Sequence, residues 1–449
     1  MQCGRGGCPP ARGLEQPMAE PRVLMVSYWY PPAPGAGAHR AAGFARHLPS
    51  YGCEPLVLTT HSRRRLLARR RELPTVDEDG IRILRVADVC APTDALGEYA
   101  GPPQPRPVAV VWKRLLFPDR FLLWGRRAVA VGRACIRSFR PNVVWTTFPP
   151  ASAARAALTL AREHGLPLVV DFRDNWIGPG GYQPASAAAL RRHRQLEAAI
   201  VGSARAVVTV SRLMWQDLSA RCGAPGDLGR VIPNGFDAGR CAEIPPGIPA
   251  AASTRPTLAH IGSVLHRNRP DLFLAALRNL EADWPCRVRF VGNLSREYVA
   301  ALGLSHRIDV VPTVPPERAW LETCKADALL LLVGDYVARW GHNAKVFEYL
   351  RSGRPILCVE ETPDSNDAEL LRRVAPRRVV FARLRDAASI GAGLRAVADL
   401  AAAHPARKLD VSAELLAYDR RALAGELAEV LRRAVGGDVK VAPDSGRSD

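Results

Sequence analysis

Lys345 and Glu348 stand one helical turn apart in the run His342-Asn343-Ala344-Lys345-Val346-Phe347-Glu348-Tyr349-Leu350-Arg351-Ser352-Gly353-Arg354-Pro355-Ile356-Leu357. The order of residue types reads as a loop, a helix that opens on a cation, a glycine stop and a buried strand. Unpaired N–H groups at a helix start attract phosphate, Lys345 adds a mobile positive charge, and Glu348 can accept hydrogen bonds from a ribose. The chemistry implied is the holding of a nucleoside diphosphate that carries a sugar. The plain alternative is an amphipathic helix whose Lys and Glu face water.

Three other groups of residues suit the same chemistry. Gly35-Ala36-Gly37 follows a short apolar run and lets backbone approach a sugar or phosphate, although Arg40 stands where a dinucleotide fingerprint has its third glycine. No acidic residue ends the next strand near Thr59-Thr60-His61, so a dehydrogenase is disfavoured. Asp171-Phe172-Arg173-Asp174-Asn175-Trp176 closes a buried strand and concentrates carboxylates, an arginine and an aromatic where open α/β sheets face their ligand. Asp171 and Arg173 are expected to act at a developing cation, against the alternative of a structural Asp–Arg pair. Gly262-Ser263, with His266, Arg267 and Arg269 close behind, offers cations for a leaving diphosphate, or else a solvated basic turn.

The segment from Val108 to Arg127 mixes Trp112, Phe117, Phe121 and Trp124 with Lys113, Arg114, Arg120, Arg126 and Arg127. That mixture suits an anionic lipid surface, a flap over an acceptor cleft, or plain core. Trp112, Phe117, Trp124 and Trp176 are the acceptor contacts expected on this basis. Asp77-Glu78-Asp79 sits among arginines and reads as a solvated turn, so no metal site and no cofactor are expected. The arginines are dispersed and no zinc spacing occurs, which speaks against nucleic acid.

The elements that must position these groups alternate regularly. Pro21–Ser27 and Pro55–Thr59 read as strands around an Ala38–Leu48 helix. Val143–Thr146, Pro167–Phe172 and Ala206–Val210 follow as strands, with Ala151–His164 and Ala187–Val201 as helices. After Pro233-Asn234-Gly235-Phe236-Asp237 a Pro-rich stretch intervenes, and the alternation restarts with strands at Thr257–Ile261, Val288–Val291 and Ala328–Val333 and a helix at Arg269–Leu280. A last helical pattern runs from Ala413 to Ala434. The expected fold class is α/β, with two doubly wound Rossmann-like domains facing a cleft. The expected layout is a disordered extension over 1–20, an acceptor domain over 21–240, a linker over 241–256, a nucleotide-sugar domain over 257–412, a C-terminal helix over 413–436 and a disordered tail over 437–449.

Composition agrees with a globular enzyme: 449 residues, 47% hydrophobic and 24% charged. A net charge of +18 favours an anionic partner, although a GC-rich genome would also raise arginine. Ten scattered cysteines without a Cys-x-x-Cys pair argue against zinc and disulfides and for a reducing cytoplasm. No apolar run approaches the ~20 residues of a membrane span, so a cytoplasmic protein, peripheral at most on the inner membrane face, is expected.

Taken in order, residues 21–420 resemble a GT-B glycosyltransferase of the nucleotide-sugar-dependent family 4. The carriers are Tyr30-Pro31-Pro32 with its Gly loop, Phe148-Pro149-Pro150, Asp171-Phe172-Arg173-Asp174 with Trp176, Ser211, Ile232-Pro233-Asn234-Gly235-Phe236-Asp237, Gly262-Ser263, and Lys345-Val346-Phe347-Glu348-Tyr349-Leu350 with Gly353 and Pro355. The resemblance implies a metal-independent, retaining transfer of a sugar to an acceptor hydroxyl on a glycan, a lipid-linked molecule or a small molecule. It places the ribose at Glu348 and the diphosphate at Lys345 and an arginine of the 267–269 turn, with Gly35, Gly37, Gly262, Ser263, His342 and Asn343 as further donor contacts. Two positions depart from the family pattern: Trp340 replaces a glutamate eight residues before Glu348, and Thr146-Thr147-Phe148 replaces a histidine. Asp335 or His342 then substitutes for the first, and Asp171 or Arg173 for the second. A non-hydrolysing sugar-nucleotide epimerase, or a non-catalytic nucleotide-sugar-binding subunit, is the rival reading.

Overall fold

Strands such as Ala-Leu-Leu-Leu-Leu-Val at 328–333 are apolar on both faces, and only a sheet covered by helices on both sides hides them. The computed structural model describes residues 20–33, 35–60, 75–76, 79–88, 116–178, 181, 186–245, 248, 255–280, 285–362, 364–403 and 408–436. Residues 1–19 of the extension expected over 1–20, the tail over 437–449, Trp112, Asp77, Glu78 and most of 246–254 lie outside the described residues.

The first half runs β1 Arg22–Val26, α1 Ala36–His47, β2 Glu54–Thr60, β3 Thr75–Val76, β4 Arg82–Val86, α2 Leu122–Phe139, β5 Val143–Phe148, α3 Ala151–His164, β6 Leu168–Phe172, α4 Ala187–Val201, β7 Ala206–Thr209, α5 Arg212–Cys222 and β8 Gly229–Val231. Its sheet has the order β3-β4-β2-β1-β5-β6-β7-β8, parallel except for β3 against β4. The second half runs β9 Thr257–Ile261, α6 Pro270–Asn279, β10 Arg287–Val291, α7 Arg296–Ala301, β11 Ile308–Val311, α8 Pro316–Lys325, β12 Ala328–Val333, α9 Asp335–Trp340, α10 Ala344–Ser352, β13 Ile356–Glu360, α11 Asn366–Val374, β14 Val379–Arg383 and α12 Ala387–Ala403. Its parallel sheet has the order β11-β10-β9-β12-β13-β14.

Both sheets reverse their winding once, between β1 and β5 and between β9 and β12. Loops leaving the carboxyl ends of those strands diverge to opposite faces and open a crevice, the usual ligand position in such folds. Helix starts are set locally: Ser186, Ser211, Ser295 and Ser365 each accept a backbone N–H in the first turn of the following helix.

The helical pattern expected as one run over 413–436 divides into α13 Ala413–Leu416 and α14 Arg420–Gly436. Between them the chain runs beside Phe236, with the Arg420 N–H donating to the Phe236 carbonyl at 2.8 Å and Phe236 bridging to Asp419, before α14 returns to the first lobe. Leu423, Leu427 and Leu431 of α14 then pack with Val23, Met25, Phe44 and Trp145 in the first lobe's core. The Pro-Asn-Gly-Phe-Asp stretch crosses the other way: Ile232 lies in that same core, whereas Phe236 is fully buried in the second lobe's. Among the described residues no helix is long and apolar enough to cross a membrane.

Candidate nucleotide-sugar site

In the second lobe, the turn after β9 and the start of α10 meet at the switch point. Gly262 has φ of 99°, a conformation side chains disfavour, and a Cβ there would stand 3.0 Å from Lys345 Cε. Gly292 approaches so closely that its Cβ would lie 2.3 Å from the Gly262 carbonyl oxygen. Lys345 reaches across this turn and donates to the Ser263 carbonyl at 2.9 Å. Burial pushes its ammonium down to about 8, against the pull of Glu348 and helped by Arg267.

Asn343 caps α10 by accepting from the Lys345 N–H at 3.2 Å, and its own N–H donates to both Asp367 oxygens at 3.1 Å. His342 Nδ1 lies 3.2 Å from the same fully buried carboxylate. Asp367 therefore fixes the loop, and Asn343 and His342 shape the helix start. Glu348 follows one turn later; burial pushes its carboxyl up, and Arg420 and Lys345 pull it down. Tyr349, accepting from the Ile261 N–H at 2.8 Å, ties α10 to β9.

The two arginines of the 266–269 turn part company. Arg267 crosses to the first lobe, with Nη1 3.4 Å from Asp174 Oδ1 and its guanidinium 4.9 Å above the Tyr336 ring. Arg269 instead donates to Asp271 from Nε at 3.1 Å and Nη2 at 2.9 Å. Its expected place beside Arg267 at the diphosphate is corrected accordingly, because the carboxylate two residues on holds it at the start of α6.

On the first lobe's side, Gly35 begins α1 with φ of 105°, and Gly37 faces Arg173 so closely that a Cβ would lie 2.1 Å from Cζ. Arg173 donates to the Pro149 carbonyl at 2.8 Å and stands 3.5 Å from Asp174; burial pushes its guanidinium down. The expected catalytic role of Asp171 is corrected. It is fully buried, and both oxygens accept from Arg40, at 2.9 Å from Nε and 2.8 Å from Nη2. Arg40 also donates to the Ile232 and Pro233 carbonyls at 2.8 and 2.7 Å, which leaves that carboxylate a structural anchor.

Two expected acceptor contacts are likewise corrected. Trp124 is 0% exposed and edges onto Tyr28, and Trp176 is 2% exposed and stacks on Phe148, so both belong to the first lobe's core. Phe117 is half-buried beneath Arg192 of α4 with the His193 ring at its edge.

Sequence reasoning missed the groups that join the lobes. Tyr336 accepts from the Asn175 N–H at 3.0 Å and donates to Asp174 at 3.4 Å, and Ser211 donates to the Trp340 carbonyl at 2.9 Å. Trp340, 2% exposed, sits in the first lobe's core although its helix follows a second-lobe strand. Asp174 lay in the tetrapeptide already singled out; Arg420 had no local signal at all. Among the described residues no three His, Cys, Asp or Glu side chains gather to hold a metal.

Residues 37–240 match the profile of Glycosyltransferase Family 4. No curated protein sequence matches the chain. Several solved structures share its fold. Sucrose-phosphate synthase from Thermosynechococcus elongatus is 14% identical with a TM-score of 0.58, over 93% of this chain and 94% of its own. HepE of Anabaena in complex with UDP and glucose is 14% identical at 0.58, covering 92% and 99%. The catalytic domain of starch synthase IV from Arabidopsis thaliana, bound to ADP and acarbose, is 11% identical at 0.60, covering 93% and 100%. With a segment matching Glycosyltransferase Family 4 in its first lobe and two parallel sheets, the chain has the two-lobed fold of these structures.

Proposed function

We propose that the protein moves a sugar from a nucleoside diphosphate sugar to an acceptor hydroxyl, with retention at the anomeric carbon and without a bound metal. The observation that carries this reading is Lys345 on the Gly262 turn and Arg173 on the Gly37 turn, one at each switch point, with Arg267 beside Asp174 between the lobes. Glycines without side chains leave room for phosphate oxygens, and three cations offset the charge that a diphosphate gains on leaving. Glu348, one turn into α10, takes the ribose hydroxyls. The structural relatives crystallised with UDP or ADP support a nucleotide as the donor's handle. His342 and the backbone after Trp340 take over sugar contacts from the absent glutamate.

An acceptor presented at an anionic cytoplasmic membrane face, as in polysaccharide or glycolipid assembly, is consistent with exposed Arg126, Arg127 and Arg137 on α2, a helix with no acidic residue. The test is a melting-temperature screen with UDP-, GDP-, ADP- and dTDP-sugars. A ligand at 100 times its Kd stabilises the folded state by about 2.7 kcal/mol. Absence of any shift across the panel, with no nucleotide release, would sink the reading.

A further inference from the structure

Asp171 is spent on Arg40, yet its neighbour three residues on is not spent in the same way. Asp174 leaves the carboxyl end of β6 with Oδ1 3.4 Å from Arg267 Nη1 and 3.4 Å from the Tyr336 hydroxyl, and with Oδ2 3.5 Å from Arg173 Nη1. Its side chain keeps 24% of its surface, against 0% for Asp171. The backbone beneath it is held: the Asn175 N–H donates to Tyr336 at 3.0 Å, and the Asn175 side chain is fixed by Asp217 and Arg221 at 3.2 Å each. Such contacts are longer than good charge-assisted hydrogen bonds, so the carboxylate is near its cations without being saturated by them.

We propose that Asp174 is the carboxylate at the reaction centre, serving as Arg267's counter-ion before the donor binds and facing the anomeric carbon once a diphosphate claims Arg267. The inference rests on the donor reading above. If Arg267 and Arg173 flank the leaving diphosphate, a group within 3.5 Å of both lies beside the bond that breaks. In that step the bond from the anomeric carbon to the diphosphate oxygen breaks with its electron pair going to the diphosphate. The acceptor oxygen forms the new bond, and its proton passes to the departing diphosphate. The Asp174 carboxylate takes no proton in this step and opposes the positive charge that builds on the sugar ring, an interaction stronger in the transition state than in the ground state. In the ground state the same charge sits near phosphate of like sign, so removing it does not weaken nucleotide binding.

Asp174→Asn tests this, because it keeps the shape and the Tyr336 contact. Calorimetry with the nucleoside diphosphate selected by the melting screen gives Kd; nucleotide release from its sugar ester, with water or an added acceptor, gives kcat and KM. The expected result is a fall in kcat of about 100-fold or more, with the donor KM unchanged and Kd equal or tighter. Asp174→Glu, which retains the charge, is expected to recover part of the loss. Turnover of the Asn variant within about threefold of the parent overturns the assignment. So does a Kd that weakens in step with kcat, the mark of a mere strut between the lobes. A parent protein that binds no nucleotide, like its Lys345→Met variant, removes the donor site itself and this assignment with it.

Discussion

Each lobe carries a cation on a helix next to its switch-point glycine turn, Arg40 on α1 and Lys345 on α10, and the two are used in opposite ways. In the first lobe the cation is Arg40, 4% exposed and fully engaged by Asp171 and two carbonyls. In the second it is Lys345, which among the described residues donates to one carbonyl oxygen and whose charged form burial disfavours. A saturated cation holds a fold together; a desolvated one with spare donors is paid for only when an anion arrives. The contrast teaches that a glycine loop beside a cation indicates a ligand site only where the cation has capacity left.

Removing Asp171 gives the largest expected effect. Asp171→Ala strands the buried Arg40, and losing one partner of such a pair costs about 3–5 kcal/mol, read as a lower denaturant midpoint. An unchanged midpoint with altered nucleotide affinity would make Arg40 a ligand group and erase the contrast. Trp340→Ala is next: emptying a buried indole site costs about 3–5 kcal/mol, and because this indole joins the lobes, the variant should also show a larger radius of gyration in solution scattering. Lys345→Met should leave stability at pH 7 unchanged or higher yet weaken nucleoside diphosphate binding by about 2–3 kcal/mol, roughly 30- to 150-fold. Equal loss in both would put the lysine in the same class as Arg40.

Smaller effects come from pH. Lys345 titrates at about 8 when folded and at 10.5 in an exposed state, so below pH 8 both states are charged and the desolvation cost is fully present. Between those values the unfolded chain binds more protons, and stability rises with pH. A bound diphosphate restores the charge, so affinity falls as pH climbs through about 8, by up to about tenfold per unit, with proton uptake measurable by calorimetry in buffers of different ionisation heat. Lys345→Met should flatten both profiles.

Much of the fold was legible because its signals are local. The α3 and α4 spans and strands β9 and β12 were read at their observed bounds, since caps such as Ser186 and stops such as Gly165 lie beside the helices they delimit. The Lys345 and Glu348 pair needed only helical spacing to be noticed. Asp171 was misread because its partner is 131 residues away, a separation no window reveals. Trp124 was misread because aromatic residues mixed with arginines look alike from either side of a helix, and Trp176 because a residue after a strand's carboxyl end can turn to core or cleft; only packing on Tyr28 and Phe148 tells the two apart. Trp340 and Arg420 depend on chain crossings between lobes, which no local pattern encodes.

The return of α14 to the first lobe has a consequence for birth as well as for shape. β1 leaves the ribosome before the whole second lobe, yet the Leu423, Leu427 and Leu431 side chains that pack on its face follow that lobe. Until they arrive, Val23 and Met25 have only first-lobe residues such as Ala41 and Phe44 for cover, and apolar surface is left exposed while the second lobe is still being translated.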